Sequence, residues 1–175
     1  GDSNAMAQLG LMAEEADNLQ EARKWYLRAV ELENSQAMYN LGLMDQNLGD
    51  IAEAKKLYER ALEAGNLWPL NNLARIAEVE GDMIKAVSLY REAAENGDAT
   101  AMTNLGILEE ESGNLSEAIK WYEQAAALDY LDAMFQLGKI ASSSGDADQA
   151  RTWWGKAGAL GHEDSIEALE QNEQD

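Results

Sequence analysis

The 175-residue sequence has no cysteine, a single proline and a single histidine. Without cysteine there is no disulfide and no thiolate metal site, and the cellular compartment stays open. One proline leaves room for helices that are rarely interrupted. No apolar run approaches the ~18 residues that a membrane-spanning helix needs. The sequence therefore predicts a helical protein with neither a bilayer span nor a cofactor.

Basic residues are also scarce, with 13 Lys and Arg against 33 Asp and Glu and a net charge of −20. Nucleic-acid binding depends on Lys and Arg that displace counterions from phosphates, so this balance disfavours a nucleic-acid partner. It equally disfavours an anionic membrane surface. Two explanations stay open: the acids suit a basic protein partner, or they only keep the chain soluble.

A 32-residue repeat organises the sequence. One of its regular columns is aromatic: Tyr26, Tyr58, Tyr90, Tyr122 and Trp154. The period predicts a single array of five copies and a C-terminal capping helix, over residues 3–34, 35–66, 67–98, 99–130, 131–162 and 163–172. Because Gly1-Asp2 stands in the phase of Gly97-Asp98, we expect the chain to begin at a repeat boundary inside a longer protein.

Each copy is predicted to form two helices. Glycines such as Gly49 and Gly113 suit the left-handed residue that ends the first helix. The Asp or Asn that follows is predicted to cap the second helix, and Glu or Gln three residues later to complete a capping box. Glycines inside the first helices, such as Gly42, predict that the aromatic side chain of the second helix lies close to the backbone of the first. Because neither helix can bury its apolar stripe alone, the copies are expected to stack into an all-α solenoid.

The pattern of Leu105, Gly106, Gly113, Ala118 and Tyr122 resembles the tetratricopeptide repeat. Segments such as "WYEQAA" resemble the related Sel1-like repeats, although the period is 32 and the turn between the helices is short. The resemblance implies a right-handed superhelical α-solenoid of five helix-turn-helix repeats plus a C-terminal helix. It further implies a protein- or peptide-binding scaffold, and no enzyme, with the first helix of each repeat lining a concave groove.

By repeat position, the resemblance assigns ten side chains to this groove: Tyr39, Asn40, Trp68, Asn71, Asn72, Arg75, Thr103, Asn104, Phe135 and Lys139. An asparagine there can hold a peptide backbone, because a carboxamide both donates and accepts hydrogen bonds. Ordinary helix-surface polarity is the alternative. Proline is tolerated in the first helical turn, so Pro69 predicts a first helix in copy three that begins at Leu67 or Trp68. Trp68 is then either a binding hot spot or a filler between copies two and three.

Acidic residues cluster near the ends of the first helices, in a set that we call the acidic edge: Glu14, Glu15, Glu78, Glu110 and Glu111. Acids at a helix C-terminus oppose the helix dipole, at roughly 0.3–1 kcal/mol each. Two reasons stay open: a basic partner segment along this edge, or compositional drift.

No motif with catalytic or metal-binding chemistry is evident. His162 has no partners for a Ser-His-Asp or metal site nearby in sequence, and we expect a surface capping role for it. The alternatives to a scaffold are a structural spacer or self-association module without a groove ligand and, with less support, an enzyme. The oligomeric state stays open. At the ends, Met6 and Leu9 are predicted to be exposed, and Glu167, Glu170 and Glu173 to form a polar cap.

Overall fold

The computed structural model describes residues 1–172, and within that range it contains eleven α-helices and no β-strand. Two compact units divide the chain, Gly1–Ala93 (unit 1) and Ala94–Asp175 (unit 2). The helices are α1 Ser3–Glu15, α2 Leu19–Val30, α3 Ser35–Leu48, α4 Ile51–Glu63, α5 Leu70–Val79, α6 Met83–Glu95, α7 Ala99–Glu111, α8 Leu115–Ala126, α9 Leu131–Ser143, α10 Ala147–Ala159 and α11 Glu163–Asn172. The predicted five helix pairs and final helix are confirmed. Across the described residues, no helix has the length and apolar character to cross a membrane.

Left-handed residues end the helices. Gly49 and Gly113 have φ of 88° and 79°, as predicted, and Asp17 takes the same position in copy one with φ 58°. Sequence reasoning did not find Glu33 and Asp129, which end second helices with φ of 54° and 57°. These two positions correspond to glycines in other copies, so the repeat alignment could have revealed them.

The predicted caps of the second helices form in part. The side chains of Asn18, Asp82 and Asp146 accept a hydrogen bond from the backbone N–H three residues on. Asp50 and Asn114 make no such bond. The sequence therefore identified the starts of the second helices correctly, although only some of the predicted cap hydrogen bonds form.

The capping boxes were predicted wrongly. The backbone N–H of Asn18 donates to the Ala13 carbonyl, within the bonds that end the first helix. That donor is thus already satisfied, and the Glu21 carboxylate instead accepts from Lys24 at 3.1 Å.

Close approach explains the glycines inside the first helices. A Cβ added at Gly42 would lie 2.5 Å from the Tyr58 ring, and one at Gly106 would lie 2.4 Å from the Tyr122 ring. Real Cβ atoms do not approach that closely, so the glycine lets the ring lie against the helix backbone. The aromatic column is therefore core, as predicted.

The first helix of copy three begins at Leu70, not at Leu67 or Trp68. In copy two Asn34 caps its helix by accepting from the Ala37 N–H at 2.9 Å. The equivalent donor in copy three would be Pro69, which has no N–H. Asn66 therefore accepts from the Trp68 N–H at 3.0 Å, and a turn precedes the helix.

The prediction for the two ends is confirmed in part within the described residues. Leu9 is 41% exposed, whereas Leu41 at the same repeat position is 2% exposed. Met6, which was also predicted to be exposed, is half-buried and packs against the neighbouring apolar core. At the other end, Leu169 of α11 packs against a buried cluster that includes Trp154. Glu167 and Glu170 are exposed, while Glu173 lies outside the described residues.

Candidate functional site

The strongest candidate site in unit 1 is an aromatic pair, formed by the half-buried Tyr39 and the exposed Trp68. Their ring centroids are 5.6 Å apart in an edge-to-face arrangement, and Tyr39 also lies 6.0 Å from the Tyr58 ring. The Trp68 side chain is 58% exposed. Pro69 beside it is fully buried and holds φ at −71°. A fixed backbone thus presents a large aromatic surface to solvent.

Two of the predicted groove asparagines reach back to the preceding repeat. The Asn40 amide donates to the Tyr26 hydroxyl at 3.4 Å, and the Asn72 amide donates to the Gln46 side-chain oxygen at 3.3 Å. Both are half-buried, as are Asn71 and Asn104. These contacts give Asn40 and Asn72 a structural role between repeats, and peptide binding by them stays a prediction.

Arg75 of α5 is exposed. It lines a pocket of about 170 Å³ together with Asn72, Ile51 and Val79. Unit 1 therefore brings an amide, a guanidinium and apolar side chains to one opening.

The predicted residues of unit 2 divide into two groups. Thr103 is buried and its hydroxyl donates to the Ala99 carbonyl at 2.9 Å, so its placement in a ligand groove was wrong. Phe135 and Lys139 line an open pocket of about 320 Å³, and ligand binding by them stays a prediction. The Lys139 ammonium lies 5.8 Å from the Phe135 ring centroid and donates to Gln136 at 3.0 Å.

Much of the acidic edge has a structural explanation that sequence reasoning missed. In four repeats the core tyrosine donates its hydroxyl to the residue twelve positions earlier, over 2.7–3.0 Å: Tyr26 to Glu14, Tyr58 to Gln46, Tyr90 to Glu78 and Tyr122 to Glu110. The constant spacing of twelve residues was the available signal. Glu15 and Glu111 are exposed. Of the acidic edge, these two residues are the ones for which a basic partner segment and compositional drift both stay open as explanations.

These hydroxyl groups resist ionisation. Burial raises the pKa of the Tyr26, Tyr90 and Tyr122 phenols well above the ordinary value, and the hydrogen bond to a glutamate raises each further. The pKa of Tyr58 is also raised, chiefly by burial. The neutral phenols therefore serve as hydrogen-bond donors that join the two helices of a repeat.

An ion pair between α2 and α3, formed by the half-buried Arg23 and the buried Asp45, was also missed. The Arg23 guanidinium contacts the carboxylate of Asp45, which is buried. The equivalent position holds Ala13, Ala77 and Ala141 in copies one, three and five, and Glu109 in copy four. An acid at a position that holds alanine in three copies was the signal for a partner, because a buried charge needs one.

His162 caps α11, as expected. Its Nδ1 accepts from the Ser165 backbone N–H at 3.2 Å and lies 2.8 Å from the Ser165 hydroxyl. With Nδ1 as the acceptor, Nε2 carries the hydrogen and donates to Asp132 at 3.1 Å. The fold thus assembles a Ser-His-Asp contact that the sequence did not suggest. Ser165 is completely buried, so a substrate carbonyl cannot reach its hydroxyl and the contact is structural.

Residues 1–172 contain no group of three or more His, Asp or Glu side chains that could hold a metal ion.

Four models of the tetratricopeptide repeat match the sequence, over residues 3–36, 35–65, 66–130 and 103–159. No curated protein matches it. Solved structures do match. A protective antigen with an SLR fold from uropathogenic Escherichia coli strains is 28% identical with a TM-score of 0.83. A Sel1 repeat protein from Oxalobacter formigenes is 27% identical with a TM-score of 0.82. The PilF protein of Pseudomonas aeruginosa, at 19% identity and a TM-score of 0.76, shows the fold alone.

The alignments with these structures cover 96%, 96% and 92% of this chain, and 40%, 77% and 77% of the respective partners. The chain thus spans less than half of the Escherichia coli antigen. Together the repeat models run from residue 3 to residue 159. With the two SLR or Sel1-repeat structures, they show that this chain is an all-α repeat solenoid that belongs to the Sel1-like and tetratricopeptide repeat superfamily.

Proposed function

We propose that this chain is a non-enzymatic scaffold that binds a protein or peptide on the first-helix face of unit 1, around Tyr39 and Trp68. Repeats of this superfamily are generally protein-interaction scaffolds and are typically not enzymes. The observation that carries the proposal is the Trp68 side chain, which is 58% exposed and held against Tyr39. Tryptophan, tyrosine and arginine are the residues most enriched in binding hot spots.

The rigid setting of Trp68 favours binding. Its backbone N–H is bonded to Asn66, and the buried Pro69 follows it. A side chain already held in place loses less conformational freedom when a partner covers it. Exposed tryptophan on a fixed backbone therefore supports a contact surface more than a filler between two repeats.

Charge favours a basic partner. The net charge of −20 attracts a positively charged protein and speeds its association at low salt. The same charge opposes self-association, and an inert spacer gives no reason to expose Trp68. The enzyme alternative is the least supported, because the contacts of His162 are those of a helix cap.

Affinity capture with matched variants tests the proposal. The wild-type chain, Trp68→Ala and the control Trp153→Ala are immobilised, and the captured proteins are compared by quantitative mass spectrometry. Trp153 is half-buried beside Lys156 on a second helix of unit 2, so its loss should leave capture unchanged. We expect one or more proteins held by the wild type and the control and lost from Trp68→Ala. The same captured set on all three would refute the proposed surface.

A further inference from the structure

Two pockets of unit 1 occupy the same place in successive repeats. One, of about 280 Å³, is lined by Leu19, Met44 and Asn47 among others. The other, of about 170 Å³, is lined by Ile51, Ile76 and Val79, each 32 residues after its counterpart. We call them the first and second turn pockets, because each lies where a first helix turns into a second. They are repeated copies of a single surface feature.

The rims of the turn pockets expose apolar side chains that the fold does not require. Leu48 at the first pocket is 68% exposed, and Val79 at the second is 89% exposed. In copy five the same two repeat positions hold Ser144 and Ser143. The repeat therefore tolerates polar residues there, and the exposed apolar groups of unit 1 indicate a contact surface.

Acidic residues lie close in sequence to the side chains that line the turn pockets. Five exposed ones are within two residues of a lining residue: Glu15, Asp17, Asp50, Glu78 and Asp82. Of the nearby cations, Arg23 and Lys55 are already paired with Asp45 and Glu80, and Arg75 lines the second pocket. A second copy of the chain, which also carries a charge of −20, would be repelled, whereas a segment with Lys or Arg would be attracted.

We propose that the two turn pockets bind an extended, basic peptide segment whose apolar side chains at positions i and i+3 enter successive pockets. Packed helices lie about 8–10 Å apart, and α1 contacts α3, the next first helix. A polyproline II segment advances about 3.1 Å per residue with three residues per turn. Its residues i and i+3 therefore project on the same side, about 9 Å apart, whereas in a β-strand they point to opposite faces. This inference rests on the proposed function and specifies the partner's chemistry at a second part of unit 1.

Fluorescence anisotropy with a labelled peptide, Lys-Lys-Leu-Pro-Pro-Leu-Pro-Lys-Lys, tests the inference on the full chain. Two comparison peptides replace both leucines by serine or move them to i and i+2. The protein variants are Leu48→Ser and Val79→Ser, which introduce the residue that the chain itself carries at these positions in copy five. The matched control is Leu115→Ser, an exposed leucine of unit 2. Circular dichroism verifies that each variant is folded.

We expect the i, i+3 peptide to bind the wild type and Leu115→Ser equally. Leu48→Ser and Val79→Ser should each weaken it roughly tenfold, because each removes much of the burial of one apolar side chain. The serine and i, i+2 peptides should be weaker by a similar factor. Absence of binding, equal binding of the leucine and serine peptides, or indifference to both pocket variants would overturn the inference. So would a dimer that Leu48→Ser abolishes, because it would assign the pockets to a second copy.

A Trp68→Ala arm separates this inference from the proposed function. Trp68 precedes α5, and Val79 is the last of the ten residues of this helix. About 15 Å of helix therefore separates the two side chains. The probe's affinity should therefore be unchanged by Trp68→Ala. Probe binding that Trp68→Ala abolishes and Leu48→Ser does not would overturn the turn-pocket inference while supporting the aromatic pair as a binding surface.

Discussion

Alkaline pH should unfold this protein, because four repeats bury a tyrosine hydroxyl. Tyr26, Tyr58, Tyr90 and Tyr122 are at most 1% exposed, and the pKa of each is raised in the folded state, chiefly by burial. In the unfolded chain a tyrosine ionises near pH 10. The stability that these groups contribute is therefore fully present below about pH 10 and is lost as the pH rises towards the folded pKa.

The magnitude follows from linkage. Each phenol that stays protonated in the folded state and ionises in the unfolded state lowers the free energy of unfolding by about 1.4 kcal/mol per pH unit. Four such phenols lower it by about 5 kcal/mol per pH unit. Small proteins are stable by about 5–15 kcal/mol, so the helices should be lost within about one to three units above pH 10.

Two optical signals measure this transition together. Far-ultraviolet circular dichroism follows the helices, and tyrosinate absorbance follows ionisation, through a titration above about pH 9. We expect the absorbance of the four core tyrosines to rise only as the helices are lost. In urea titrations, Tyr122→Phe should reduce the pH dependence of the unfolding free energy by about 1.4 kcal/mol per pH unit. Ionisation of all tyrosines near pH 10 with intact helices would refute the reasoning.

Three further predictions concern stability and charge. Gly106→Ala should cost about 1–3 kcal/mol of unfolding free energy, because its methyl group would lie 2.4 Å from the Tyr122 ring. Gly155→Ala, with nothing within 4 Å of the new Cβ, should gain about 0.5–1 kcal/mol; equal effects in thermal denaturation would contradict the packing argument. His162→Ala should cost about 1 kcal/mol and speed amide exchange in α11, while His162→Asn should keep the cap; identical exchange in both would contradict it. Glu111→Gln and added salt should each slow association with a basic partner, and stopped-flow rates indifferent to both would leave this acid without a binding role.

The helices could be predicted from the sequence because the residues that begin and end each helix recur at the same positions in the five copies. The glycine stop, the following Asp or Asn and the aromatic column recur in one register, so a single exception does not hide the pattern. The start of α5 was mispredicted because Asn66 cannot cap this helix as Asn34 caps α3. The cap needs a backbone N–H three residues after the asparagine, and in copy three that residue is a proline. Pro69 has no N–H, and Asn66 consequently bonds to Trp68.

The candidate site was harder to predict, because repeat position does not reveal which polar group is already used. Asn72 and Glu110 occupy positions that suggest partner binding, yet each bonds to a side chain of the protein itself. Thr103 was assigned to the groove by position and is buried. Trp68 was recognised because it precedes Pro69, the single proline of the sequence, and the structure shows Trp68 exposed.

The binding surface of unit 1 is tested most directly by measuring Trp68→Ala in two ways on the same samples. The affinity for a captured partner is measured by titration calorimetry, and the free energy of unfolding by urea denaturation. We predict a loss of about 2 kcal/mol or more in binding, with a loss of only about 0.5–1.5 kcal/mol in stability from the Tyr39 contact. A stability loss of about 3–5 kcal/mol with unchanged affinity would contradict the account and make Trp68 a packing residue.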